Sequence, residues 1–167
     1  MDMSVSIVEA NLDMCKEIAL VKKQVWESAY RGIYPDCKID GFDIDKEAEK
    51  FAGLVTAVDI KLYVAVVDNK IVGYMAYGRN PRTADTDCKE IVLLSVLKEY
   101  QGKGIGKQLF DLGKEWLRKE CDHFIIHCNK YNINAQKFYA KMGCTVLSID
   151  TDNPDRSIPQ TRFIYRF

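Results

Sequence analysis

The stretch Gln101-Gly102-Lys103-Gly104-Ile105-Gly106 (QGKGIG) decides how the chain is read, because the segments flanking it have different periodicities. Upstream, Glu90 to Leu97 (EIVLLSVL) is apolar, rich in Ile, Val and Leu and short for a helix, which predicts a buried strand. Downstream, Ile105, Leu109, Leu112 and Trp116 recur at spacings of four, three and four, one face of an amphipathic helix. The order is strand, glycine loop, helix. Glycines at 102, 104 and 106 let the backbone turn tightly and approach a ligand, and the first helical turn offers unpaired N–H groups at the positive end of the helix dipole. Such a loop suits an anion, most naturally a pyrophosphate, with Lys103 and Lys107 adding positive charge.

Spacing separates the phosphate loops that could be meant. A P-loop needs GxxxxGK and then Ser or Thr, but Gly106-Lys107 is followed by Gln108 and the first glycine position is Gln101. A dinucleotide fingerprint needs GxGxxG early in a βαβ repeat, whereas these glycines read GxGxG past mid-chain. What remains is Gln/Arg-x-x-Gly-x-Gly/Ala, satisfied by Gln101, Gly104 and Gly106. This pattern resembles the acyl-coenzyme A signature of the GNAT superfamily of N-acetyltransferases. The resemblance implies that Gln101 through Lys107, Ile105 included, hold the cofactor.

At 167 residues, one domain spanning 1–167 with a sizeable core is expected. Twenty-four basic and 24 acidic residues balance, which argues against a nucleic-acid binder. The N-terminus shows no basic start followed by an apolar core, and no apolar stretch approaches the length of a membrane span, so a cytoplasmic protein with no membrane partner is expected. The cysteines at 15, 37, 88, 121, 128 and 144 form no CxxC pair, which fits reduced thiols.

Outward from the loop, strands are predicted at Val5–Glu9, Leu62–Val67, Ile71–Tyr77, Phe124–Cys128, Thr145–Ile149 and Arg162–Phe167. Asp68-Asn69 reads as a hairpin turn. Helices are predicted from the caps Asn11 and Asp13 to about Tyr30, over Asp45–Val55, from the glycine loop to about Glu120, and over Asn132–Met142 with Gly143 as the left-handed stop. Polar loops fill 79–89 and 150–160. This order resembles the GNAT fold from end to end, which implies an α/β (α+β) protein whose mixed, mostly antiparallel sheet is flanked by helices. The closing strand Arg162–Phe167 is expected at a sheet edge, where it offers a route to a homodimer.

Acyl transfer from a thioester to an amine needs a cofactor anchor, a deprotonated amine, a polarised carbonyl and a stabilised thiolate. The resemblance implies that Leu94, Ser95 and Val96 pair with the pantetheine arm through their backbone. Asn132 and Tyr139, seven apart, share a helix face with about 10.5 Å between them along the axis. The stretch N132INAQKFYAKMG143 resembles the family pattern in which the Asn touches the cofactor and the Tyr faces the sulfur. A phenol near pKa 10 is a weaker acid than a thiol near 8.5, so full proton transfer from Tyr139 is uphill by about 2 kcal/mol and hydrogen-bond stabilisation serves as well.

An alkyl ammonium costs about 4 kcal/mol to deprotonate at neutral pH, which makes a base useful, although a water chain could serve. Glu90 aligns with the base glutamate of the histone-acetylating members, and His127 stands where protein N-terminal acetyltransferases place theirs. Either could act, and either has an ordinary reading, as a solvated strand end or a core histidine. The cluster Cys121, His123, His127, Cys128 suggests zinc only superficially: four residues along a strand separate the histidines by about 13 Å, and no metal is expected.

The run W26ESAYRGIYP35 resembles a subgroup of small bacterial-type GNAT enzymes. Trp26, Glu27, Tyr30, Tyr34 and Asp36 are candidates for the acceptor pocket, since aromatics with carboxylates suit a cationic amine, while Trp26 and Tyr30 at helical spacing also suit a core. Where many members carry proline, this chain has Lys98, a change that removes no cofactor contact. The expected activity is acetyl transfer from acetyl-CoA to a small-molecule amine in a ternary complex. Its alternatives are a protein N-terminus or lysine as acceptor, and a non-catalytic acetyl-CoA sensor.

Overall fold

The computed structural model describes residues 4–80, 88–150 and 158–167. Strand β1 (Ser6–Glu9) leads through a 3-10 turn at Leu12–Met14, capped by the Asn11 side chain, into helix α1 (Cys15–Ala29). Helix α2 (Asp36–Asp40) is short, and α3 (Ile44–Thr56) starts at Asp43, whose carboxylate accepts from the Lys46 N–H at 3.1 Å. Strands β2 (Ile60–Val67) and β3 (Lys70–Gly78) form a hairpin; Asp68 and Asn69 turn it with φ of 49° and 61°. Then come β4 (Glu90–Val96), a 3-10 turn at Lys98–Tyr100, α4 (Ile105–Leu117), β5 (His123–Asn129), α5 (Ile133–Lys141), β6 (Thr145–Asp150) and β7 (Gln160–Arg166).

The strands form a seven-stranded sheet in the order β1-β2-β3-β4-β5-β7-β6. All neighbours are antiparallel except β4 and β5, which run parallel and are in register only where Glu90 faces Ile125. Beyond that point the ladder stops, and the sheet opens toward the C-terminal ends of both strands. Helices α4 and α5 cover one face: Phe110 of α4 packs on Phe124 of β5 and Phe138 of α5. Helices α1 and α3 cover the other, where Phe51 packs edge-on against Tyr74.

The structure corrects four expectations. The closing strand β7 is not an edge, because it pairs with β5 on one side and β6 on the other; β1 and β6 are the terminal strands. The buried face of α4 runs through Ile105, Leu109, Phe110, Gly113 and Leu117, and Trp116 is 39% exposed. The cause is Gly113: a Cβ there would stand 3.2 Å from Met75, so the helix lies close to β3 along its glycine and turns Trp116 outward. Helix α2 falls between the predicted helix that ends near Tyr30 and the one that begins at Asp45, where no helix is expected. Strand β2 begins two residues before the predicted start. Of the loops expected at 79–89 and 150–160, residues 81–87 and 151–157 lie outside the described residues. No helix among the described residues is long and apolar enough to cross a membrane.

Candidate active site

Where β4 and β5 part, the sheet encloses a cavity of about 860 Å³, within the range of sites for small molecules and cofactors. Its walls are β4 from Ile91 to Val96, β5 from Ile126 to Asn129, the glycine loop, α5 and the end of α1. Val92, Leu93, Leu94 and Ser95 are only half-buried although they belong to an inner strand, because the backbone edge that a fully paired β5 would cover faces the cavity. An extended amide-bearing molecule can pair with that edge as a strand would.

The loop after β4 has the backbone its glycines allow. Gly102 and Gly104 adopt left-handed φ of 73° and 81°. Gly104 caps α4 without a side-chain acceptor, and the first helical bond runs from the Gln108 N–H to the Gly104 carbonyl at 3.0 Å. The N–H groups of the first turn therefore remain for an anion at the cavity mouth. Gly102, Gly104, Gly106 and Lys107 line the cavity, as do Lys98 and Lys141, which spacing alone did not single out. Lys107 also pairs with Asp111 at 2.5 Å. Gln101 lines the cavity but its amide donates to the Val96 carbonyl at 2.9 Å, tying the loop to the strand end. Two predicted residues stay out: Ile105 is buried in the core, and the Lys103 ammonium lies 5.0 Å over the Tyr100 ring.

Helix α5 forms the far wall. Asn132 caps it, its Oδ1 accepting from the Ala135 N–H at 3.1 Å, and also lines the cavity. Tyr139 lines it a helix length further on, 6% exposed and packed on Phe163. Burial raises the Tyr139 phenol pKa well above its ordinary value, and Cys128, Tyr30 and Cys144 push the same way. The phenol therefore stays neutral near physiological pH and keeps its O–H as a hydrogen-bond donor. Cys128 lines the cavity as well, but burial pushes its thiol up to about 12, so it is no thiolate nucleophile near neutral pH. Ser95 contributes more than backbone: its hydroxyl hydrogen-bonds the Tyr74 phenol, a cavity residue that the sequence reading passed over.

Of the two base candidates, His127 lines the cavity and Glu90 does not, being 1% exposed. They meet nonetheless: His127 Nδ1 is 3.5 Å from Glu90 Oε2, and Asn80 Nδ2 donates to that same oxygen at 2.9 Å. His123 does not line the cavity and pairs with Asp122 at 2.5 Å. Among the described residues no three His, Cys, Asp or Glu side chains converge as metal ligands.

At the other end, Trp26, Tyr30 and Tyr34 line the cavity as one aromatic wall, with Trp26 stacked on Tyr34 at 5.3 Å and Phe42 behind. Glu27 is not brought to it; it is exposed and paired with Lys23 at 2.5 Å. Asp36 is likewise exposed and holds Arg31 at 3.0 Å together with Asp40 at 2.7 Å. Cations of the chain itself lie over this wall, Lys38 4.4 Å above the Tyr34 ring and Lys22 5.7 Å from the Trp26 ring.

Comparison with known proteins agrees with this geometry. The family model described as the acetyltransferase (GNAT) family matches residues 24–144. An uncharacterized N-acetyltransferase in the pepI 3' region of Lactobacillus delbrueckii subsp. lactis is 28% identical over 107 residues, 60% of this chain and 60% of that protein, so the match spans less than two thirds of the relative's length. Among solved structures, the PaiA N-acetyltransferase of Thermoplasma acidophilum in complex with coenzyme A superposes with a TM-score of 0.81 at 22% identity, over 99% of this chain and 100% of that one. An acetyltransferase from Thermus thermophilus does so with a TM-score of 0.70 at 14% identity, over 99% and 98%. At these identities the structural likeness speaks for the fold.

Proposed function

The chain belongs to the GNAT acetyltransferase family, and from that premise we propose that it moves an acetyl group from acetyl-CoA to the primary amine of a small molecule, by direct transfer with both substrates bound at once. The observation that carries this reading is the continuous cavity through the split sheet. It is lined by the glycine loop with Lys98, Lys107 and Lys141, by the aromatic wall of Trp26, Tyr30 and Tyr34, and by Tyr139.

The residues divide the work. The first-turn N–H groups of α4 and the lysines take the pyrophosphate; the cavity-facing edge of β4 at Leu94, Ser95 and Val96 takes the amide arm and offers an N–H to the thioester carbonyl. Asn132 caps α5 and so fixes where Tyr139 stands. The neutral Tyr139 phenol donates a hydrogen bond to the sulfur as negative charge builds there; its raised pKa favours this over giving up the proton. The un-ionised Cys128 supports direct transfer over an acetyl-enzyme. Six free cysteines support a reducing compartment, the cytoplasm, as the working place.

The test is thiol release from acetyl-CoA across a panel of polyamines, amino acids, aminoglycosides and short peptides, with calorimetric acetyl-CoA binding in parallel. Binding plus turnover of a small amine is expected. Turnover of peptides alone would move the acceptor class to proteins, binding without turnover on any of them would favour a sensor, and no binding would overturn the reading.

A further inference from the structure

The Asn80–Glu90–His127 cluster has a buried end and a cavity end, and its geometry separates the two base candidates. Glu90 opens β4 and His127 lies on β5, two residues past the single point where these strands are in register. Paired residues share a sheet face, so Glu90, Ile125 and then His127 all point to the side of α1, where the aromatic wall stands. The carboxylate is 1% exposed and absent from the cavity lining, so no bound amine can reach it. The imidazole can be reached. Its Nδ1 is buried and 3.5 Å from Glu90 Oε2, which leaves the opposite ring edge, with Nε2, as the part that meets the cavity.

Resting on the acetyl-transfer reading, we propose that His127 is the general base and that Glu90, held by Asn80, is its positioning residue. Glu90 Oε2, 3.5 Å from Nδ1, is the acceptor that an Nδ1–H faces, and closing that gap to a hydrogen bond holds the tautomer with Nε2 unprotonated. Asn80 Nδ2, 2.9 Å from the same Oε2, keeps the carboxylate from turning away. An arriving ammonium gives one proton to Nε2. Its nitrogen then attacks the thioester carbon; the C–N bond forms, the C–S bond breaks, and the electron pair leaves on sulfur. The second nitrogen proton is lost as the amide forms and matches the one taken up by the thiolate, while His127 returns the first to solvent. Among the described residues, Arg162 of β7 stands opposite His127 in register, and the charged or titratable Lys22, Tyr30 and Tyr139 line the same cavity, with Lys22 paired to Glu47 at 2.6 Å.

Two measurements on the full chain test this. In kcat/KM against pH, His127→Ala is expected to lose the acidic limb and about 100-fold in rate, with partial rescue by free imidazole. Glu90→Gln is expected to lose about 10-fold and keep the limb, the mark of a residue that positions the base without being it. A limb abolished by Glu90→Gln and kept by His127→Ala would make Glu90 the base and overturn the proposal. Unchanged acetyl-CoA affinity in calorimetry separates either effect from misfolding. The second measurement needs no acceptor: the chain has two histidines, and the ¹⁵N signals of the His127 ring are expected to show a protonated, hydrogen-bonded Nδ1 in the neutral form that changes in Glu90→Gln. An unprotonated Nδ1, or signals indifferent to Glu90→Gln, would overturn the pairing even if no amine in the panel were turned over.

Discussion

Tyr139 and Cys128 are pushed by the same burial and end with different consequences. Both are held in their neutral forms, which keeps a phenol as hydrogen-bond donor and disarms a thiol as nucleophile. Tyr139→Phe removes only the donor and is expected to lower kcat about 100-fold with little change in the KM for acetyl-CoA, the pattern of a contact made in the transition state. Because the phenol pKa is raised, the donor form persists as pH rises through about 10, where a solvated tyrosine ionises. The wild-type rate should show no alkaline limb with that midpoint that Tyr139→Phe removes. The cysteines give a parallel check. Brief iodoacetamide treatment near neutral pH is expected to label the exposed Cys37 and leave Cys128 and Cys144, whose thiols are both pushed up to about 12, as peptide mass mapping will show. Neither burial was readable in the chain. The spacing of Asn132 and Tyr139 on one helix face was, because that is local geometry.

At the scale of elements, the segments that local periodicity describes were those the sequence disclosed: the Asp68-Asn69 hairpin, the strand–loop–helix around Gly104, and α5 with its cap. What it did not disclose depends on neighbours far along the chain. Trp116 looked inward until Gly113 met Met75, and β7 looked like an edge until β6 folded back over it. Glu90 and His127, 37 positions apart, were weighed as rivals because nothing local says that β4 and β5 lie side by side. Asn132 shows how two roles overlap in one side chain: it was singled out for the cofactor, and its Oδ1 is the cap of α5. Asn132→Ala should therefore cost about 1 kcal/mol of stability, and Asn132→Asp, which keeps a cap oxygen, should restore it. Thermal melts of the two variants decide this. No loss in Asn132→Ala would mean that the cap contributes nothing and that the residue matters only to the ligand.

Across the whole molecule, the split between β4 and β5 is a structural cost with a functional return. A fully zipped parallel pair would satisfy its own backbone and leave no channel; here the ladder ends at Glu90 and Ile125, and the inner edge of β4 depends on what enters the cavity. A ligand that pairs with that edge and bridges to α5 joins the two halves of the sheet. It binds the folded chain alone, so at 100 times its Kd acetyl-CoA should add about 2.7 kcal/mol to stability. For a domain of this length that is about 5–10 °C in Tm. The gain should be local as well as global: amide exchange in residues 91–96 is expected to slow on binding well beyond any slowing in β2, which pairs with β1 and β3 without ligand. Exchange that slows equally in both strands, or a Tm rise with no protection of β4, would mean that the molecule is held at its phosphates alone, and the edge of β4 would lose its role in placing the thioester.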